Sequence, residues 1–227
     1  MAQSDNLGMV KTELFKLHVH LGHAPAPQII AMLTLSKRTF SEKVIEDMIR
    51  ECVCTSSVAS NFKAVANTHT SPFPGYCVFI DVIYPEPMSG HSLPFLTVVG
   101  AFSRFAICPA LRNLKPEHLI GVCEKRWVSF LRTPRFLVKD GGPGTAAGCW
   151  GQFAIIHNIA MVVNPTNAPC QMGRIERHVG ILKIGLGRIQ KSDPSLSLEE
   201  AVRKTCIAEN HCLLMNSGVS PAQLVFG

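Results

Sequence analysis

The chain has 227 residues, enough for one large domain or two smaller ones, and 47% of them are hydrophobic against 17% charged. That balance excludes a disordered, highly charged chain, and no apolar run reaches the roughly 18 residues of a membrane span. The net charge of +6 is mild, and the nine cysteines, odd in number and irregular in spacing, argue for thiols or metal ligands over a disulfide scaffold. The opening MAQSDNLGMVKTELFKLHVH carries no basic-then-apolar secretory signal, so an intracellular location is expected.

In chain order, the first segment reads as helical. Leu14, Leu17 and Leu21 fall at helical spacing, Pro25 and Pro27 interrupt it, and Ile29, Ile30, Met32 and Leu33 resume it. A further helix is predicted over Ser41–Arg50, with Ser41 as its cap and Cys52 and Cys54 directly after it. The polar, turn-rich Asn67–Gly75 reads as a linker. Strands follow at Tyr76–Tyr84, Leu93–Val99 and Arg104–Leu111, where apolar, β-branched and aromatic residues are punctuated by Gly, Pro and Ser. Next come a helix over Pro116–Phe130, a short strand at Arg135–Lys139, a helix near Gly151–Asn158 and a strand at Ala160–Val163. From Met172, the spacing Ile175, Val179, Leu182, Leu186, Ile189 marks the buried face of a long amphipathic helix, and a last helix is predicted over Leu198–Met215. Three strands, then helix–strand–helix–strand–helix, imply an α/β domain: a mixed sheet covered by helices.

Three acids occupy places that structure alone does not favour. Asp81 interrupts the most apolar strand, between Ile80 and Val82, where an ionised carboxylate needs a partner or a metal. Asp140 closes the second strand run, Phe136–Lys139, and Glu176 borders the buried stripe of the long helix. Each has a plain alternative: an ion pair for Asp81, a turn for Asp140, a solvated helix face for Glu176. Taken together, two strand carboxylates and one from a covering helix form an oxygen-rich set suited to Mg²⁺ or Mn²⁺. Around Glu176, Cys170–Lys191 also holds Arg174, Arg177, Lys183, Arg188 and Lys191, a basic stretch fit for phosphate.

The head carries a second set of ligand-forming residues. His18 and His23 in LHVHLGH are followed by Cys52 and Cys54. Two histidines and two cysteines suit tetrahedral zinc, which in so short a segment would replace missing core. The single residue between the cysteines requires altered backbone geometry, and His20 is an alternative ligand.

With these residues in hand, the chain resembles the retroviral and retrotransposon integrases. Thirty-five residues separate Asp140 from Glu176, with Asp81 upstream, an arrangement similar to the Asp-Asp-35-Glu pattern. VFIDVIY, VGAFSRFAICPAL, FLVKDGGPG, APCQMGRIERHVGILK and the closing SGVSPAQLVFG agree with it, and the head resembles the family's His-His-Cys-Cys domain, which normally has two residues between the cysteines. Departures stand at Cys170, Met172 and Gly100, where many relatives have Trp, Asn and Asp.

The resemblance implies a helical zinc-binding domain over 1–66, a linker over 67–74 and an RNase H-like core over 75–227, with a mixed five-stranded sheet flanked by helices. Asp81, Asp140 and Glu176 would hold two Mg²⁺ (or Mn²⁺) ions, and His18, His23, Cys52 and Cys54 one Zn²⁺. Lys183, Arg177, Gln171 and Arg174 would contact DNA, with Gly180 and Gly187 leaving room for its backbone. The implied reactions are trimming of element DNA ends and their transfer into target DNA, by a dimer or tetramer not bound to membrane. The nucleus is the expected site of action in a eukaryotic host, after a cytoplasmic particle stage. The alternatives are an inactive integrase-derived DNA-binding or assembly module and another RNase H-like nuclease or transposase. Because the chain stops at Phe226–Gly227, a piece of a longer polyprotein is expected.

Overall fold

A computed structural model describes residues 2–38, 40–56, 71–85, 93–140, 147–164, 173–212 and 218–227. The first helices form a head with its own small core. They are α1 (Ala2–His20), α2 (Ala26–Leu35) and α3 (Glu42–Arg50), the last followed by a 3₁₀ turn over Val53–Ser56. Pro25 stands at the N-cap of α2 and Pro27 in its first turn, where a missing N–H costs nothing. Ser41 does sit at the N-cap of α3, but its side chain makes no capping hydrogen bond. Leu14, Leu21, Ile29, Leu33, Ile45 and Met48 close the core between these helices.

The rest is a five-stranded mixed sheet in the order β3-β2-β1-β4-β5. Its strands are β1 (Cys77–Ile83), β2 (Phe95–Gly100), β3 (Ala106–Ile107), β4 (Phe136–Asp140) and β5 (Ala160–Asn164). The first three form an antiparallel meander, while β4 and β5 run parallel to β1. The strand expected over Arg104–Leu111 shrinks to two ladder residues, followed by an isolated bridge from Ala110 to Phe95.

Both faces of the sheet are covered, so β1 reads as a nearly continuous apolar run. On one side Val78, Ile80, Val98 and Leu137 meet Leu119, Trp127, Trp150 and Phe153. These come from α4 (Pro116–Cys123), the π turn Glu124–Val128 that continues it, and α5 (Ala147–Ile156). On the other side Phe79, Ile83, Val99 and Val138 meet Ile175, Leu182, Leu186 and Ile189 of α6 (Gly173–Ser192) and Ala201, Val202 and Cys206 of α7 (Leu198–His211). The side-chain stripe predicted for α6 is therefore the buried one. Ser197 caps α7 by accepting from the Glu200 amide. A capping box at Ser220 and Gln223 starts α8 (Pro221–Phe226), a helix too short for any periodicity to announce. Among the described residues no helix is long and apolar enough to cross a membrane.

Candidate metal centres

The end of α1 explains the spacing of the two histidines. Gly22 donates to the Val19 carbonyl and His23 to the His18 carbonyl at 2.8 Å, while Gly22 adopts φ +62°. This is a Schellman cap, in which the residue after the left-handed glycine folds back over the residue five before it. A hydrophobic pair usually fills those two positions. Here they hold His18 and His23, whose rings meet edge to face with centroids 4.9 Å apart. The cysteines arrive from the other side: Cys52 follows α3, and Cys54 lies in the 3₁₀ turn, the local tightening that lets a Cys-x-Cys pair turn both thiols inward.

All four ligand residues are buried, and their donor atoms lie within 4.8 Å of one another. His18 Nδ1 donates to the Ala24 carbonyl at 2.9 Å, which leaves its Nε2 lone pair facing inward. His23 Nδ1 is 3.2 Å from that atom, Cys52 Sγ is 3.4 Å from His23 Nδ1, and Cys54 Sγ is 3.3 Å from His18 Nε2. A tetrahedral zinc bound at ordinary lengths would place nitrogens about 3.3 Å apart and sulfur from nitrogen about 3.5 Å. The donor set fits zinc. Burial lowers the pKa of both histidines, that of His23 to about 4 with help from His18 and Arg188, so both offer neutral nitrogens. Burial, then the Cys52 hydrogen bond and charge, push the Cys54 thiol up to about 12, against the pull of Arg188. His20, the alternative ligand, is exposed on α1.

The acids belong to the sheet and to α6: Asp81 and Asp140 are half-buried and Glu176 is exposed. Asp81 shares its side of β1 with Phe79 and Ile83, and Asp140 its side of β4 with Val138, which is the face that α6 covers. Ile80 pairs with Lys139, so Asp81 and Asp140 stand on the next rung of two adjacent parallel strands. Glu176 follows the buried Ile175 in the first turn of α6, where the helix dipole favours a carboxylate. Burial first, and then the charge of Asp140, raise the Asp81 carboxyl to about 6, with Glu176 adding a smaller push. Asp81 thus feels the other two acids, but the set is looser than the head ligands: among the described residues only the His/Cys set gathers three or more such donors within 4.8 Å. Lys183 and Arg177 are exposed on α6. Gly187 has open space where a Cβ would stand, but Gly180 is buried, so the expected glycine stripe is interrupted. Gln171 and the side chain of Arg174 lie outside the described residues.

Sequence reasoning missed two features. His178 Nδ1 meets Glu209 Oε2 at 3.2 Å between α6 and α7, and burial holds Glu209 up at about 8 and His178 down at about 4. Burial thus pushes both members of the pair toward their neutral forms. The other is Arg188, whose Nη1 donates to the His23 carbonyl at 3.1 Å, linking positions 165 apart in sequence. No local pattern announces either contact.

Solved structures share this fold. A chain of the simian T-cell lymphotropic virus intasome, in complex with PP2A regulatory subunit B56 gamma, superposes with a TM-score of 0.73 at 17% identity, over 94% of this chain and 72% of the other. The HTLV-2 integrase catalytic core domain in complex with magnesium, trimeric form, gives 0.60 at 20% identity, over 69% of this chain and 99% of that one. The fold is that of a retroviral integrase. The BIV integrase core agrees, at 0.56 and 16% identity over 66% of this chain and 93% of its own. Since the intasome match spans far more of the chain than the core-domain matches, the integrase likeness takes in the head as well as the sheet. No protein-family model and no curated protein matches the chain.

Proposed function

We propose that this chain is the integrase segment of a retroelement, an enzyme that trims the element's DNA ends and joins them to target DNA. One observation carries the reading: two aspartates on the same rung of neighbouring parallel strands, on the face covered by the helix that bears Glu176, with Asp81 feeling the charge of both other acids. Asp81, Asp140 and Glu176 would hold divalent metal, a role supported by the magnesium complex of the structurally similar HTLV-2 core. Mg²⁺ or Mn²⁺ held by these residues would supply Lewis-acid stabilisation of the attacking and leaving oxygens.

The chain's own contribution is placement. The sheet holds two carboxylates rigidly, and the first turn of α6 presents the third where the helix dipole stabilises it. Exposed Lys183 and Arg177, with Arg174 and Gln171 before them, would contact phosphates and so bind DNA with little sequence preference. In the head, His18, His23, Cys52 and Cys54 would hold a structural zinc that ties the end of α1 to the turn after α3. A homo-oligomer acting on DNA in the nucleus, after a cytoplasmic particle stage, belongs to the same reading.

The test is a disintegration assay with Mn²⁺ on a branched oligonucleotide. Asp81→Asn and Glu176→Gln are each expected to abolish joining while DNA binding, read by fluorescence anisotropy, stays within a few-fold of the unaltered chain. Full activity in either variant refutes the assigned roles. An unaltered chain that binds DNA but joins nothing would instead be an integrase-derived binding or assembly module, and cleavage of an RNA–DNA hybrid would point to another RNase H-like nuclease.

A further inference from the structure

The head sits on the core at the zinc ligands themselves. Gly22 approaches α7 so closely that a Cβ there would lie 2.6 Å from the Ala208 Cβ, and Cys212 Sγ donates to the Leu21 carbonyl at 3.7 Å. The 3₁₀ turn that carries Cys54 packs against α6. Arg188, from the same helix as Glu176, donates to the His23 carbonyl at 3.1 Å, and its charge bears on His18, His23 and Cys54.

His23 is itself strained: it has φ +61°, a left-handed conformation that a residue with a Cβ adopts at a cost. Something must hold it there, because the same backbone setting aims its ring at the other ligands. Within the head the His23 amide is held by the His18 carbonyl, while the carbonyl of the same residue is held by Arg188, from outside the head.

We propose that Arg188 is a positioning residue of the head's metal centre, contributed by the core, so that zinc binding and docking of the head onto α6 and α7 are one coupled event. The inference rests on the zinc part of the reading above and is independent of strand transfer. Arg188 fixes the backbone carbonyl of a zinc ligand, and with it the backbone setting that aims the ring, and it places a cation beside Cys54, a thiolate once metal is bound. Coupling of this kind is reciprocal. Whatever tightens zinc also tightens the seat of the head on the helix that carries Glu176.

The experiment titrates zinc into the full chain against a chromophoric chelator and follows amide hydrogen exchange by mass spectrometry. The unaltered chain is expected to take up one equivalent. Arg188→Gln should bind zinc on the order of 10-fold more weakly, the usual consequence of removing a group behind a metal ligand, with unchanged circular dichroism in excess zinc. Arg188→Lys, which keeps the charge but not the planar fork, should recover only part of the loss. In the unaltered chain, removing zinc should speed exchange across Gly185–Ser192 of α6, a readout that holds even if a variant folds poorly. Equal zinc affinity in Arg188→Gln, or exchange over Gly185–Ser192 that ignores zinc, overturns the coupling. An unaltered chain that takes up no zinc overturns the coupling and the zinc reading together, whereas loss of joining in Glu176→Gln bears on the acids alone.

Discussion

Asp81 has a carboxylate where a strand prefers a β-branched side chain, and its protonation records the conflict. Its pKa rises from an ordinary 3.8 to about 6 through burial and then the charges of Asp140 and Glu176. Between those two values the folded chain holds more protons than the unfolded one, so acidifying the metal-free protein stabilises it, by at most about 3 kcal/mol. Raising the pH through 6 removes that contribution. A divalent cation needs the ionised carboxylate and reverses the preference. The rise in Tm produced by Mg²⁺ is therefore expected to be largest near pH 8, to fade as pH falls through about 6, and to shrink at every pH in Asp81→Asn. Thermal melts with and without Mg²⁺ at pH 5, 6, 7 and 8 check this, and an equal Mg²⁺ shift at pH 5 and 8 would count against metal binding at Asp81.

At the scale of elements, α6 serves three neighbours at once. Its apolar stripe covers the sheet, its first turn offers Glu176, and its later turns meet α7 and the head. The crossing with α7 is close because Gly185 has no side chain: a Cβ there would stand 2.7 Å from Thr205 Cγ2. Thr205 is buried and its hydroxyl is committed to the Ala201 carbonyl, so it cannot swing aside freely. The buried His178–Glu209 pair closes the same interface further along. Gly185→Ala should therefore destabilise the chain by roughly 1–3 kcal/mol through overpacking, despite the better helix propensity of alanine. Chemical denaturation measures it, and a variant as stable as the parent would show that the two helices can separate without cost. Gly187, which faces open space, should accept alanine and serves as the control.

For the whole molecule, stability is divided between three apolar clusters of different size. Two sandwich the sheet, while the head has a small one supplemented by four buried donor atoms. So little core leaves the head dependent on its metal and on its seat against α6 and α7. Chelating zinc should melt the head at lower temperature while the sheet survives, giving two transitions in place of one by differential scanning calorimetry. A single transition unmoved by chelation would show that the head holds together without metal.

From the sequence alone comes what periodicity and residue chemistry carry. Apolar, β-branched runs bounded by turn residues locate all five strands, the Ile175–Ile189 stripe locates the buried face of α6, and Asp81 stands out by its charge within an apolar strand. The four head ligands are legible by type, and the fold draws them together. Local signals falter where the backbone is decided by contact. The third strand is only two residues long because its ladder is set by β2, and Gly180 is buried although its spacing along α6 suggests an open stripe. Donor distances that match zinc, the seat of Gly22 on Ala208 and the hold of Arg188 on His23 belong to tertiary structure only. Side-chain pattern reports which face of an element avoids water. Contacts between residues more than a hundred positions apart depend on how those faces are packed together, and no stretch of sequence carries that by itself.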